Sequence, residues 1–173
     1  MNKVILVVLD GLNARTAHTY MGFLEHLIDN QQCAAYTVRA ELPAQSRPLY
    51  EVIQTGVPAH LNGIVSNGTV RRSTEKSVFQ LAKEAGLKTG AASYHWVSEL
   101  YNKAPFDPMT DRIQLDMDRN IQNGLFYYED HYPDSHLIAD GAFLIRDKQT
   151  DYTLLHSMNI EDTGNKFGSE SKE

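Results

Sequence analysis

The sequence predicts an α/β domain with three layers, in which a mostly parallel sheet carries helices on both faces. Three observations lead to this fold class. Short apolar runs rich in β-branched residues alternate along the chain with segments of helical period. The first run, residues 4–9, is apolar throughout, which is typical of a strand covered on both faces. Strands that alternate with helices are joined by right-handed crossovers into parallel sheets.

Length and composition restrict the class of protein. A chain of 173 residues with 42% hydrophobic residues is long enough for one globular domain, residues 1–173, and no linker divides it. The net charge of −6 argues against stable nucleic-acid binding, which needs clustered Lys and Arg. The apolar run 4–9 is too short to span a membrane or to form a secretory signal. A single cysteine, Cys33, excludes an intrachain disulfide, so we expect a cytoplasmic protein.

The first third of the chain is predicted to contain two strands and one helix. Residues 3–9 form the first strand, and Asp10 follows its carboxyl end. From Thr16 onward, apolar residues recur on one helical face, and this helix ends at residues 29–30. Residues 33–40 alternate between apolar and polar side chains and predict a second strand near a sheet edge.

The rest of the chain continues the alternation. Pro48 and an apolar helical face predict a helix that begins at Ser46, whose hydroxyl can cap it, and that ends at Gly56. Residues 102–118 are predicted to be a long loop, and residues 127–128 to be irregular. The other predicted elements are a helix from residue 73 or 74 to 85, a strand over 87–94, a helix from 134 or 135 to 145, and a strand over 152–158.

Polar residues cluster where these strands end. In open parallel sheets ligands bind outside the carboxyl ends of the strands. Carboxylates and an imidazole around a serine at a helix N-terminus suit divalent cations and an anionic substrate. No glycine-rich phosphate motif follows the first strand, so a nucleotide cofactor is not expected. The residues on this side of the predicted sheet are Asp10, Ser46, His95, Trp96, Glu161 and Asp162.

Each of these residues also has an ordinary structural explanation. A serine at a helix start is usually a cap, and an aspartate before a glycine is usually a turn. His156 lies inside a predicted strand, which favours a core histidine or one that contacts a metal ligand. His95 and Trp96 stand at a strand end and are predicted to line a substrate pocket, although large aromatic residues are often only packing.

Three motifs carry a family resemblance. VVLDGL near the start, QSRPLYEVIQTGVPAHLNGIVSN in the middle and NIEDTGNKFGSES at the end resemble the opening, nucleophile and metal motifs of the alkaline phosphatase superfamily. The nearest branch is the type I phosphodiesterase/nucleotide pyrophosphatase group. The resemblance implies an alkaline-phosphatase-like core and a hydrolase with two divalent metal ions, usually zinc, with manganese as the alternative. It also implies a small phosphodiester or nucleotide-like substrate and a Ser or Thr nucleophile.

The resemblance assigns roles to individual positions. Asp10 matches the first metal ligand of the family. Ser46 matches the nucleophile, whose oxygen also contacts a metal. Asn67, which follows Ser46 by twenty-one residues in the sequence, matches the asparagine that holds a phosphoryl oxygen.

The third motif departs from the family pattern D-x-x-G-H. Aligned on Gly164, Glu161 takes the place of the ligand aspartate and Asn165 that of the ligand histidine, while Asp162 could replace Glu161 by a local shift. The family's later Asp-His pair and final histidine would fall beyond Glu173. We therefore expect a domain incomplete at its carboxyl end, weak metal binding and an exposed sheet edge that favours a homo-oligomer.

Three functions follow as hypotheses. The first is a metal-dependent hydrolase of phosphodiester or pyrophosphate bonds. The second is a phosphomutase of the same superfamily, whereas a sulfatase is disfavoured because its C/S-x-P-x-R pattern requires arginine where Tyr50 stands. The third is a catalytically impaired fragment or binding protein that keeps the fold.

Overall fold

A five-stranded, mostly parallel sheet forms the centre of the molecule. The structure is a computed structural model that describes residues 3–169. The spatial order is β1-β5-β2-β4-β3, and all neighbours are parallel except β3 and β4, which are antiparallel. The strands are β1 (Val4–Leu9), β2 (Thr89–Tyr94), β3 (Ile113–Leu115), β4 (Asn123–Tyr127) and β5 (Tyr152–Ser157).

Helices connect the strands and follow the last one. They are α1 (Ala14–Tyr20), α2 (Gly22–Asp29), α3 (Ser46–Thr55), α4 (Ala59–Asn62), α5 (Val78–Glu84), α6 (His95–Tyr101), α7 (Asp134–Arg146) and α8 (Asn159–Phe167). Within residues 3–169, none of these helices combines the length and apolar character needed to cross a bilayer.

Strand β5 shows that helices cover both faces of the sheet. On one face Tyr152 donates its hydroxyl to Gln54 of α3 at 3.0 Å and packs against Phe79 of α5. On the other face Leu155 lies against Gly141 of α7, where an added Cβ would come within 2.6 Å of its side chain. Successive strand residues point to opposite faces, so α3 and α5 lie on one side and α7 on the other. The predicted α/β class is confirmed.

The core is built around β2, whose six residues are all buried. Its small residues Gly90, Ala91 and Ala92 let helices approach the sheet closely. Parallel pairing with β5 on one side and β4 on the other places β2 at the centre of the sheet. Helix α6 begins at His95, directly after the last residue of β2.

The predicted strand over residues 33–40 is wrong. These residues form no strand and are exposed along their whole length, with Tyr36 at 86% and Val38 at 84% of full exposure. Their alternation fits a half-buried strand, but β-propensity mainly reflects packing against neighbours. Strand β1 pairs with β5, and in the described part of the chain nothing pairs with its other edge.

Two strands were not predicted from the sequence. Strand β3 falls within residues 102–118, and β4 ends at Tyr127. The first residues of β4, Asn123 and Gly124, have low strand propensity. Pairing with Gly90 and Ala91 of β2 supplies the stabilisation that the local sequence lacks.

Other boundaries differ in understandable ways. The first predicted helix is two helices, α1 and α2, that meet at Met21. Helix α5 begins four to five residues later than predicted, because Ser77 caps it by accepting from the N–H of Gln80 at 3.3 Å. Residues 159–167 form α8, a helix that the sequence did not predict.

The apolar sequence of β1 predicted a strand covered on both faces, but in the structure one of its faces is open. Ile5 and Val7 pair with residues on the α7 side of β5 but stay 47% and 52% exposed. Helices α1 and α2, which follow β1, bury no residue, so they leave this face open. Leu6 and Val8, on the α3 side, pack against the core.

Candidate active site

Two carboxyl groups meet at the carboxyl end of β1. Asp10 follows the strand, and its N–H donates to the Ser157 carbonyl of β5 at 3.2 Å. Gly11 then turns with φ of +70°, and an added Cβ would lie 2.7 Å from Glu161 Cα. This close approach brings the first turn of α8, and with it Glu161, next to Asp10.

The proximity of the two carboxyl groups is electrostatically unfavourable. Burial and the charge of Asp10 raise the pKa of Glu161 above its ordinary value. Its Oε2 atom is buried and has no hydrogen-bond partner within residues 3–169. A buried carboxylate oxygen without a donor, next to a second carboxylate, is chemically suited to a cation.

Ser46 is the first residue of α3 and lies beside Asp10. The helix is capped from outside: Asn67 Oδ1 accepts from the N–H of Arg47 at 3.0 Å, and the N–H of Asn67 donates to Gln45 Oε1 at 2.9 Å. The N-cap position belongs to Gln45. The prediction that Ser46 caps α3 is therefore wrong, because Asn67 supplies the capping oxygen.

Asn67 is oriented by the same contact. A backbone N–H can only donate, so the oxygen of the Asn67 amide faces Arg47 and its NH₂ group points away. The Ser46 hydroxyl is close enough to Asp10 to help lower the pKa of that carboxyl group. Ser46 and the Asn67 amide thus flank the N-terminus of α3, where the positive end of the helix dipole favours an anion.

Two residues that were not predicted to belong to the site lie next to the Asp10 carboxylate. Tyr50 donates its hydroxyl to Asp10 Oδ2, and His156 Nε2 lies 3.9 Å from the same oxygen. Burial opposes ionisation of Asp10, but His156, Tyr50 and Ser46 together lower its pKa. Burial and the charge of Asp10 raise the pKa of Tyr50, so its hydroxyl stays protonated.

Tyr50 could have been found from its spacing. It follows Ser46 by four residues, which places the two on one face of a helix. His156 has no such signal, because only the pairing of Val8 with His156 brings its strand beside β1. Both ring nitrogens of His156 are buried without a hydrogen-bond partner in the described structure.

His95 and Trp96 begin α6 at the end of β2, on the same edge of the sheet. The Arg47 guanidinium lies 4.6 Å from the centre of the Trp96 ring. Arg47 also pairs with Glu99 at 2.7 Å, and both side chains are almost fully buried. This contact ties the residue after Ser46 to the first turns of α6.

His95 lies within a group of aromatic rings. Its ring centre is 5.3 Å from that of Phe106 and 4.7 Å from that of Tyr128. Burial lowers the pKa of His95 to about 4, so the ring is neutral at neutral pH. Tyr128 is half exposed, which leaves one end of this group open to solvent.

The two remaining predicted metal ligands, Asp162 and Asn165, have other surroundings. Asp162 Oδ2 pairs with Lys166 Nζ at 2.6 Å within α8. Asn165 is exposed on the same helix. The structure therefore brings together Asp10, Ser46 and Glu161, while the Asp162 carboxylate is paired with Lys166 and Asn165 is exposed.

Comparison with known proteins identifies the family to which this chain belongs. The family model described as type I phosphodiesterase/nucleotide pyrophosphatase matches residues 4–173. The chain belongs to the type I phosphodiesterase/nucleotide pyrophosphatase family. The family is part of the alkaline phosphatase superfamily. No protein with a curated description matches the sequence.

Solved structures resemble the fold. Of 31 matching chains, one is the murine ectonucleotide pyrophosphatase/phosphodiesterase 5, with a TM-score of 0.66 and 14% sequence identity. The match covers 98% of this chain and 47% of that one. This chain therefore spans about half the length of that relative, and the likeness shows the fold alone.

The type I phosphodiesterase/nucleotide pyrophosphatase family uses divalent metal ions. In this member, Asp10 and Glu161 offer carboxylate oxygens and Ser46 offers a hydroxyl oxygen, and the Oε2 atom of Glu161 has no hydrogen-bond partner in the described residues. Within residues 3–169, no group of three or more His, Cys, Asp or Glu is positioned to hold a metal. The described residues thus fit part of one cation site, and they do not form a two-cation site.

Proposed function

We propose that this chain carries the nucleophile end of a metal-dependent hydrolase of phosphodiester or pyrophosphate bonds. One observation carries the proposal: Ser46 stands at the N-terminus of α3, beside the Asp10–Glu161 pair, while Asn67 takes over the capping contact. A serine that only capped its helix would make that contact itself. Family membership supports the same class of reaction.

The residues support a two-step reaction. Ser46 Oγ forms a bond to phosphorus as the bond to the leaving oxygen breaks, and water then cleaves the Oγ–P bond and regenerates Ser46. A divalent cation held by Asp10, Glu161 and Ser46 would favour the ionised serine and neutralise phosphoryl oxygens. The Asn67 NH₂ group and the backbone N–H of Ser46, at the positive end of the α3 dipole, are the donors available to those oxygens.

The substrate class that fits this site is small and nucleotide-like. Trp96 contacts Arg47, the residue after Ser46, and Tyr128, which is 49% exposed beside His95, offers an aromatic surface for a base or sugar. His95 is neutral and would contact a substrate through its ring rather than through charge. The net charge of −6 disfavours long nucleic acids.

We propose zinc as the metal, with manganese as the alternative, and weak binding by this chain. The support for weak binding is that Asn165 is exposed and Asp162 is paired with Lys166, so neither completes the donor set. A reducing, cytoplasmic setting is proposed on the single exposed cysteine, Cys33.

The same incomplete donor set favours a second candidate, a binding protein that keeps the fold without turnover. Its donors would hold a phosphate or nucleotide at the α3 N-terminus without activating Ser46. The two candidates differ in whether Ser46 is needed for a reaction.

Hydrolysis of a chromogenic phosphodiester distinguishes the hydrolase from the binding protein. The full chain is assayed with zinc, with manganese and with chelator, beside Ser46→Ala and the control Ser66→Ala, whose hydroxyl contacts Thr69 instead. We expect metal-dependent turnover that falls at least ~100-fold in Ser46→Ala and is unchanged in the control. Turnover that survives Ser46→Ala contradicts the nucleophile, and a folded chain without turnover supports the binding protein.

A further inference from the structure

Tyr50 occupies the space between the candidate nucleophile helix and the strand ends. It lies one helical turn after Ser46 on α3, and its side chain is only 6% exposed. Its hydroxyl donates to Asp10 Oδ2 and lies 3.2 Å from Met158 Sδ, just beyond the end of β5. One side chain therefore connects α3, the end of β1 and the end of β5.

The ring of Tyr50 is fixed as firmly as its hydroxyl. It packs edge-on against His156 with ring centres 4.5 Å apart, and tilted against Trp96 at 6.3 Å. A ring held on two sides has little freedom to rotate away from Asp10. The hydroxyl position is thus set by packing rather than by the hydrogen bond alone.

His156 does not replace this contact. Its Nε2 lies 3.9 Å from Asp10 Oδ2, which is too long for a hydrogen bond, and both of its ring nitrogens lack a hydrogen-bond partner in the described structure. Tyr50 therefore provides the hydrogen bond to Asp10, while the His156 ring packs against the Tyr50 ring.

Asp10 needs such a support because Glu161 stands beside it. Two carboxylates that face one another repel and turn apart unless their neighbours hold them. Residues that hydrogen-bond a metal-binding carboxylate fix its orientation, and their loss typically lowers metal affinity ~10–100-fold. Tyr50 is placed for this role by the helix that also places Ser46.

We propose that Tyr50 is a positioning residue that fixes the Asp10 carboxylate for a divalent cation. The inference rests on the proposed function, because it assumes a cation at Asp10 and Glu161. It adds that α3 sets both the nucleophile and the orientation of a cation ligand. Movement of α3 relative to β1 would disturb both at once.

Tyr101 offers a matched control. It is also buried, at 2% exposure, and it also donates its hydroxyl to a carboxylate, Glu51 Oε2 on α3, at 2.7 Å. Tyr101→Phe therefore removes a comparable buried hydrogen bond from the same helix without touching Asp10. A change in cation affinity that is common to both variants reflects the packing of α3. A change confined to Tyr50→Phe reflects the loss of the hydrogen bond to Asp10.

The test is calorimetric titration of zinc and manganese into the full chain, Tyr50→Phe and Tyr101→Phe, with thermal unfolding in chelator to compare their stabilities. We expect cation affinity to fall ~10-fold or more in Tyr50→Phe and to stay unchanged in Tyr101→Phe. Tyr50→Phe keeps the ring that packs against His156 and Trp96, so it is expected to fold, and its melting temperature in chelator, compared with that of Tyr101→Phe, shows whether it does.

The outcomes separate the two proposals. Equal affinity of the wild-type chain and Tyr50→Phe overturns the positioning role and leaves the proposed function standing. Equal losses in Tyr50→Phe and Tyr101→Phe also overturn it, because the effect would then belong to α3 as a whole. A wild-type chain that binds neither cation overturns both proposals.

Discussion

Glu51 is a fully buried carboxyl group on the helix that carries Ser46. It accepts hydrogen bonds from the hydroxyls of Ser73 and Tyr101, which hold the 66–77 segment and α6 against α3. Burial raises the pKa of Glu51 above its ordinary value, and these two hydrogen bonds only partly offset the effect. The charged form is therefore disfavoured in the folded protein.

This raised pKa makes stability depend on pH at a single residue. The folded state binds the Glu51 proton more tightly than the unfolded chain does, so its stabilising effect is complete below the unfolded pKa and is lost as pH rises through the folded value. We expect the stability of Glu51→Gln, which stays uncharged, to rise relative to that of the wild type as the pH increases toward 8.

Urea unfolding of both proteins from pH 4 to pH 8 measures the effect as the difference in free energy of unfolding. Taking the difference between the two proteins cancels the titration of groups that do not interact with Glu51. A difference that does not grow with pH would contradict the prediction.

At the scale of elements, the contact between the β1 turn and α8 decides whether the two carboxyl groups meet. Gly11 combines a φ of +70° with a position where any Cβ would lie 2.7 Å from Glu161 Cα. A glycine is required there both for the backbone conformation and for the close approach. The loop and the helix come together only because this residue lacks a side chain.

Gly11→Ala tests that contact against a control with the same backbone strain. Gly86 has a φ of +76°, and an added Cβ there meets nothing within 4 Å. Each alanine costs about 1–3 kcal/mol through strain, and we expect Gly11→Ala to lose more because α8 must also move. Urea unfolding measures stability, and manganese titration should show weaker binding for Gly11→Ala alone.

Equal losses of stability in the two variants, with unchanged manganese binding in both, would mean that α8 adapts without cost. The contact would then not determine the separation of Asp10 and Glu161.

At the scale of the whole molecule, β1 leaves an apolar surface open. It is an edge strand in the described sheet, and Ile5 and Val7 are about half exposed on its α7 side. Unpaired strand edges with apolar side chains tend to pair with other chains. A homo-oligomer formed through β1 remains our proposal for how this edge is covered.

We expect the chain to self-associate in solution and Val7→Lys to reduce that association. The matched control is Leu81→Lys on α5, a similarly exposed apolar residue at 51% that lies away from the sheet edge. Light scattering after gel filtration, over a range of concentrations, measures the mass of each protein. A wild-type chain that stays monomeric, or an equal effect of both lysines, would contradict the prediction.

The elements that the sequence predicted well are those whose stabilisation is local or uniformly apolar. Helix α3 has a proline in its first turn and Gly56 at its end, and β5 has two leucines at its centre and is buried throughout. Strand β4 was missed because Asn123 and Gly124 owe their conformation to β2 across the sheet. For residues 33–40 the sequence predicted a strand that does not form. They have strand periodicity, but they pair with no strand in the described part of the chain.

The site also consists of residues that the sequence predicted and contacts that it did not. The sequence alone determined the α/β class, the family motifs, and the placement of Asp10 and Ser46 at the ends of their elements, because period and order along the chain carry that information. Only the tertiary structure decided that Asn67 caps α3, that Glu161 lies against Gly11, and that Tyr50 holds Asp10. Those contacts join residues distant in sequence, and they depend on strand pairing and helix packing that no local pattern encodes.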